Sequence, residues 1–230
     1  MTSSGLYNFG VSTSNFDIFT EAYERIGRQA GSLSLNDMQS ASRSLNYLLS
    51  SWENSQPNLW TQEFQYLPLT ASTKSYTLET NTVAILQCAV RDPSAGYDQD
   101  IMIGPISSSE YLAIPNKAQE ARRPNQFYFQ RTKTPVIYLW QVPDNDDLTL
   151  VYLRLRALQD VGAATDTPDA PQRWMEAMAA GIAARLAVKW APDRVAGLKQ
   201  EAQEALAAAR GEDRQRVPLR IAPNLSGQWP

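Results

Sequence analysis

The spacing of apolar residues changes twice along this 230-residue chain, and that double switch constrains the fold more than any other feature. Over residues 14–53 apolar side chains recur every third or fourth position, the repeat of an amphipathic α-helix. Between residues 63 and 156 the apolar runs are short, rich in β-branched and aromatic residues, partly alternating and separated by turns, as strands require. From Asp169 the helical repeat returns and holds to about residue 210. Helices at both ends of the sequence are expected to pack as one bundle, with the β region inserted between them. The expected class is therefore α+β: a helical bundle with an inserted antiparallel β region and an extended C-terminal arm.

Local signals sharpen the boundaries. Residues 1–13, rich in Ser, Thr, Gly and Asn, read as a flexible leader and not as a secretory signal. Ser14 is placed to cap a first helix by accepting from the Asp17 N–H, and Phe16, Phe19, Tyr23 and Ile26 follow at helical spacing, with Gly31 as the expected stop. Ser34 opens a second helix whose stripe is Leu35, Met38, Ala41, Leu45, Leu48 and Trp52, ending across residues 54–57. Strands are expected at 63–69, 74–79, 83–90, 127–131, 136–140 and 148–156, with a capping box at Ser107–Glu110 before a short helix. Asp169 and Pro171 start an Ala-rich helix with the ridge Trp174, Met178, Ile182, Leu186 and Trp190. Pro192 and Asp193 interrupt it, and a further helix carries Val195, Leu198, Ala202, Leu206 and Ala209. These signals divide the chain into a leader (1–13), an N-terminal helical segment (14–60), a β-rich insertion (61–160), a C-terminal helical segment that completes the same domain (168–210) and an extended arm (211–230).

Composition narrows the chemistry. The chain has no histidine, which removes Ser-His-Asp and Cys-His nucleophiles and histidine-containing zinc sites. No glycine-rich phosphate loop is present. The net charge of −3 gives no overall basic face for nucleic acid. Its single cysteine, Cys88, cannot form an internal disulfide and reads as a core thiol. Residues 177–191 are too short and too charged, with Arg185 and Lys189, to span a bilayer. Asp144, Asp146 and Asp147 fail the calcium-loop pattern, because its twelfth position would be Leu155; they read as a solvated turn. Glu21 and Glu24 read as a solvated helix face. Arg154 and Arg156 share one face of a strand and read as a solvent-facing edge. No catalytic residue, cofactor or metal is assigned. Two enzyme-free readings and one enzymatic reading stay open: a structural adaptor, a carbohydrate- or protein-binding β module, and a cell-wall hydrolase using a carboxylate pair.

Residues 211–230 lose the helical repeat yet carry Val217, Leu219, Ile221, Leu225 and Trp229. Hydrophobic residues are scarce in inert tails, so a partner-binding arm is expected, stiffened by Pro218 and Pro223.

Four segments, taken in order, resemble a known family. They are Ala41-Ser-Arg-Ser-Leu-Asn-Tyr-Leu-Leu-Ser-Ser-Trp52 followed by Leu59-Trp60; Pro124-Asn-Gln-Phe-Tyr-Phe129 followed by Tyr138-Leu-Trp140 and Pro143; Asp169-Ala-Pro-Gln-Arg-Trp174; and the basic stretch from Arg210 to Pro223. Together they resemble the head-to-tail adaptors of short-tailed phages, also called tail accessory factors or packaged-DNA stabilisation proteins. The resemblance implies a homo-oligomeric ring matching the twelve-fold portal, made in the host cytoplasm and built into the virion. It implies an arm reaching the portal protein, a tail or nozzle protein bound below, and DNA passing through the lumen without specific binding. The residues expected to dock on the portal are Arg214, Arg216, Val217, Leu219, Arg220, Ile221, Leu225 and Trp229. Trp174, Met178, Ile182, Leu186 and Trp190 are assigned to subunit packing.

Overall fold

The computed structural model describes residues 14–53, 59–95 and 99–213. Helix α1 (Asn15–Arg25) starts at the Ser14 hydroxyl, which accepts from the Asp17 N–H at 3.4 Å. The Asn15 and Phe16 N–H groups donate to the carbonyls of Asp166 and Ala164, so the segment leaving the β region satisfies the first turn of α1. The helix stops at Gly27, not at Gly31. Gly27 has φ +85°, the left-handed conformation that ends a helix most cheaply in glycine. Gly31 instead lies in the short 3-10 turn Ala30–Ser32. Helix α2 (Leu35–Glu53) opens with a reciprocal cap: Asp37 N–H donates to Ser34 Oγ at 3.3 Å, and Ser34 N–H donates to the Asp37 carboxylate at 2.9 Å.

The β region follows: β1 (Gln62–Pro68), β2 (Ser75–Thr77), β3 (Thr82–Asp92), β4 (Gln99–Met102), β5 (Gly104–Pro105), the short helix α3 (Ser108–Ala113), β6 (Glu120–Ala121), β7 (Gln126–Gln130), β8 (Val136–Trp140), β9 (Val142–Pro143) and β10 (Thr149–Arg156). The Ser107–Glu110 capping box forms as expected. One sheet has the order β1-β10-β3-β4 and is antiparallel throughout. A second has the order β2-β8-β7-β5, antiparallel except where β5 runs parallel to β7. The small pair β6-β9 is parallel. Leu150, Tyr152, Cys88 and Val90 of the first sheet and Phe127, Ile137 and Leu139 of the second share one hydrophobic core. β10 therefore lies inside its sheet, and the expected solvent-facing edge at Arg154 and Arg156 is corrected by this strand order.

Helices α4 (Met175–Trp190) and α5 (Val195–Glu212) complete the described chain. A second hydrophobic core unites them with α1 and α2. Helix α4 lies at its centre: ten of its sixteen residues are buried, mostly alanines, whose small side chains let neighbours approach closely. At Gly181 an added Cβ would meet Leu48 Cδ2 at 2.5 Å, so the glycine lets α2 settle onto α4. Two stripe residues differ from expectation. Phe16 is 46% and Leu35 74% exposed, because each sits in the first turn of its helix, beyond the neighbours that would cover it. The helix α5 runs through Gly211 to Glu212, past the expected end near residue 210.

Candidate functional site

The two cores meet at a charged and aromatic junction. Strand β10 points Arg154 and Arg156 inward at its end, where β3 breaks register opposite Leu153/Arg154 and Leu155/Arg156. Arg154 is 2% exposed. Its guanidinium donates to Glu63 on β1, to Glu79 at 2.6 Å, to Asn81 at 3.1 Å and to Thr82 at 2.9 Å. Arg156 reaches the Asp169 carboxylate at 2.5 and 2.8 Å. Asp169 in turn accepts from Trp60 Nε1 through its backbone carbonyl at 3.2 Å. Trp60 then meets Trp174 edge-on at 4.7 Å, and Trp174 packs against Trp52 at 5.1 Å. Burial works to raise the Asp169 carboxyl, but the Arg156 guanidinium and the Gln159 N–H outweigh it and hold it below the usual range. A buried guanidinium is tolerated only when its donors are met, and this network meets those of Arg154.

Helix α4 presents two unlike surfaces. On one side Met175, Glu176 and Ala179 join Asp17, Ile18, Glu21 and Arg25 of α1 around a hollow of about 360 Å³. Arg25 is the hub: it bonds Glu21 at 2.8 Å, Glu176 at 2.8 Å and Glu201 at 2.7 Å, tying α1, α4 and α5 together. The Arg25 hydrogen bonds hold the Glu176 carboxyl below its ordinary value. Asp17, Glu21 and Glu24 fall at i, i+4 and i+7, so one strip of α1 is acidic. On the other side of α4, Gly181, Ala184, Arg185 and Val188 form the floor of a groove walled by α2 and α5, about 570 Å³ in volume. At 100° per residue these two sets lie about half a turn apart. The charged residues lining the groove are Arg185, Lys199 and Arg210, and no carboxylate lines it.

The β1-β10-β3-β4 sheet exposes large apolar residues on its two edge strands, Phe64 and Tyr66 on β1 and Met102 on β4, with Val151 and Ala89 buried between them. Phe64 pairs with Leu153, and Tyr66 pairs with Val151, which is followed across the sheet by Ala89 and Met102. Phe64, Tyr66 and Met102 are 62%, 58% and 63% exposed. Arg91 lies over the Tyr66 ring at 5.5 Å and pairs with Asp100 at 2.7 Å.

The residues nominated from sequence fall in different places. Trp174, Met178, Ile182 and Leu186 are fully buried in the chain's own core, while Trp190 is 41% exposed and leans on Tyr23 at 5.7 Å. Arg214, Arg216, Val217, Leu219, Arg220, Ile221, Leu225 and Trp229 lie outside the described residues. Cys88 is buried, and burial pushes its thiol up to about 12, where it is a poor nucleophile. Among the described residues no group of three or more Cys, Asp and Glu is placed to hold a metal ion, and no helix is long and apolar enough to cross a membrane. A glycosidase acid needs a raised carboxyl pKa. The shifts at Asp37, Glu63, Asp92, Asp100, Glu110, Asp169 and Glu176 all run downward. Sequence reasoning missed the acidic hollow and the basic groove, because each is assembled from helices far apart in the chain. The one signal was Arg185, visible as a charge breaking an otherwise apolar run.

The described residues thus form a mixed α+β chain with a charged hollow, a basic groove and exposed aromatic residues on β1. The sequence model of the SU10 adaptor protein family matches residues 23–222, and the chain belongs to that family. The match agrees with the resemblance to phage head-to-tail adaptors read from the four segments. No curated protein matches the chain.

Proposed function

We propose that this protein is a structural component of the phage virion, an adaptor joining the portal to the tail as a twelve-fold ring around the DNA channel and helping to retain packaged DNA. The observation that carries the reading is the family match over residues 23–222, which spans the whole β core and most of the helical core. The helices of the two chain ends act as one domain with residues 61–160 inserted in it, and the lower face of the ring meets a tail or nozzle protein. Residues 211–230 are the portal-docking arm. Arg210, Arg214, Arg216 and Arg220 outnumber Glu212 and Asp213 there, which suits an acidic groove. A net charge of −3 suits a channel wall that lets DNA slide rather than trapping it. In this reading the protein works without a cofactor and without catalysis, as a structural adaptor does. Native mass with and without portal tests the reading. A closed ring that appears only with portal, whatever open self-association the free chain shows, and that is lost on deleting residues 211–230, is the expected result. Unchanged portal binding by the truncated chain would rule out the arm.

A second reading of the β region has an observation of its own. The exposed Phe64–Tyr66 row is the aromatic platform a carbohydrate- or protein-binding module would use. Phe64→Ala with Tyr66→Ala should abolish binding to a glycan array or to the tail protein while the subunit stays folded. Retained binding would remove this reading.

A further inference from the structure

The two sides of α4 are complementary to each other, although they face away from each other within one molecule. The groove is lined by the small side chains Ala184 and Ala202 and carries Arg185, Lys199 and Arg210, while Gly181 is already covered by Leu48. Val188, which also lines the groove, is 61% exposed, so no described residue fully covers the apolar surface there. Asp17, Glu21 and Glu176 line the hollow on the opposite side, and Glu21, Glu176 and Glu201 all share a single guanidinium, Arg25, three carboxylates to one cation. Glu24 extends the acidic strip along α1, and Arg28 and Arg194 are the basic groups at its end, occupied with Asp37 and with the Arg25 carbonyl. Phe16, the neighbour of Asp17 in sequence, is 46% exposed.

We propose that the groove of α2, α4 and α5 receives the acidic face of α1 from a second copy of this chain. A contact between unlike faces is heterologous: each copy uses its groove on one neighbour and its acidic face on the other, and the chain of copies closes into a ring if the rotation allows. The contact deepens the ring reading above by locating the interface, and it rests on that reading only for closure. Charge excludes the other nearby occupant from this chain. Residues 214–220 carry Arg214, Arg216 and Arg220 and no carboxylate, so they are repelled by the same rim. A nucleic-acid backbone would meet the three cations, but it would have to bury phosphates against an apolar floor without compensation.

The test uses three forms of the full chain in analytical ultracentrifugation: wild type, Arg185→Glu with Lys199→Glu, and Glu21→Lys with Glu24→Lys. Circular dichroism checks that each is folded. Wild type should self-associate at low salt, and association should weaken as salt rises. Each double variant alone should lose about tenfold or more in association constant. An equimolar mixture of the two variants should recover association, because a reversed groove then meets a reversed acidic face. Wild type that stays monomeric at low salt overturns the interface, as does either variant associating like wild type, or a mixture that fails to recover. Loss of duplex-DNA retention by Arg185→Glu/Lys199→Glu with self-association intact would make the groove a nucleic-acid contact instead. Variants that still form a portal ring would refute this interface and leave the ring reading standing. A wild-type chain that associates by this contact but never loads on portal would do the reverse.

Discussion

The helical core and the β core solve the burial problem in different ways. The helical core is a periodic, nearly all-apolar interior around α4, in which Phe19, Leu45, Trp174, Met178, Ile182 and Leu186 are each under 2% exposed. The β core buries comparable residues, Ile137, Leu139, Leu148 and Leu150, but it closes at one end on a buried guanidinium rather than on more apolar surface. Helix contacts along one face follow from local spacing, whereas the β1-β10-β3-β4 order joins strands about ninety residues apart in sequence and needs a polar clamp to fix its last register. The difference teaches where each half is vulnerable: cavities in the first, lost hydrogen bonds in the second.

The largest expected effect is in the helical core. Trp174→Ala removes the residue that touches both Trp52 and Trp60 and should cost about 3–5 kcal/mol by urea unfolding. The matching change in the β core, Leu139→Ala, should cost about 2–5 kcal/mol in the same assay. Cys88 separates the two losses. Its thiol is buried in β3, so labelling by a thiol reagent reports opening of the β core alone. Leu139→Ala should accelerate labelling strongly and Trp174→Ala weakly. Equal acceleration would mean that the two cores unfold as one unit through the Trp60–Trp174 junction.

The clamp comes next. Arg154→Met leaves Thr82 and Asn81 without their partner and removes two ion pairs, to Glu63 and Glu79. It should cost about 1–3 kcal/mol, less than the cavity mutants, because both glutamates can be hydrated once released.

The smallest effect depends on pH. Hydrogen bonds from Arg28 and Ser34 hold the Asp37 carboxyl down at about 2, below its ordinary 3.8. A depressed folded-state value contributes stability above the ordinary value and loses it as pH falls through the folded one, here from about 4 toward 2. Asp92 behaves likewise in the β region, held low first by Arg122. Asp37→Asn should flatten the acid limb of the helical transition and leave the β limb, followed by Cys88 labelling, unchanged. A wild-type acid limb in the variant would show that the Asp37 network contributes nothing.

Much of the helical half was legible in the sequence, because spacing, caps at Ser14 and Ser34, and the Pro192 break are local signals. The stop at Gly27 rather than Gly31 was not, since both are glycines and only backbone conformation separates them. Phe16 and Leu35 fit the period but lie where no neighbour covers them. The longer strands were visible except β4, whose Gln99 and Asp100 read as a polar loop, while β5, β6 and β9 are two residues each and carry no period to detect. Arg154 was misplaced at an edge because strand order is non-local. The candidate surfaces were hidden for the same reason: Asp17, Glu176 and Glu201 become neighbours only when α1, α4 and α5 pack.

Native mass spectrometry of the full chain, alone and mixed with portal protein, tests the central claim most directly. The adaptor account predicts a complex of twelve copies on portal, lost on deleting residues 211–230. A chain that remains unbound when portal is saturating would contradict it.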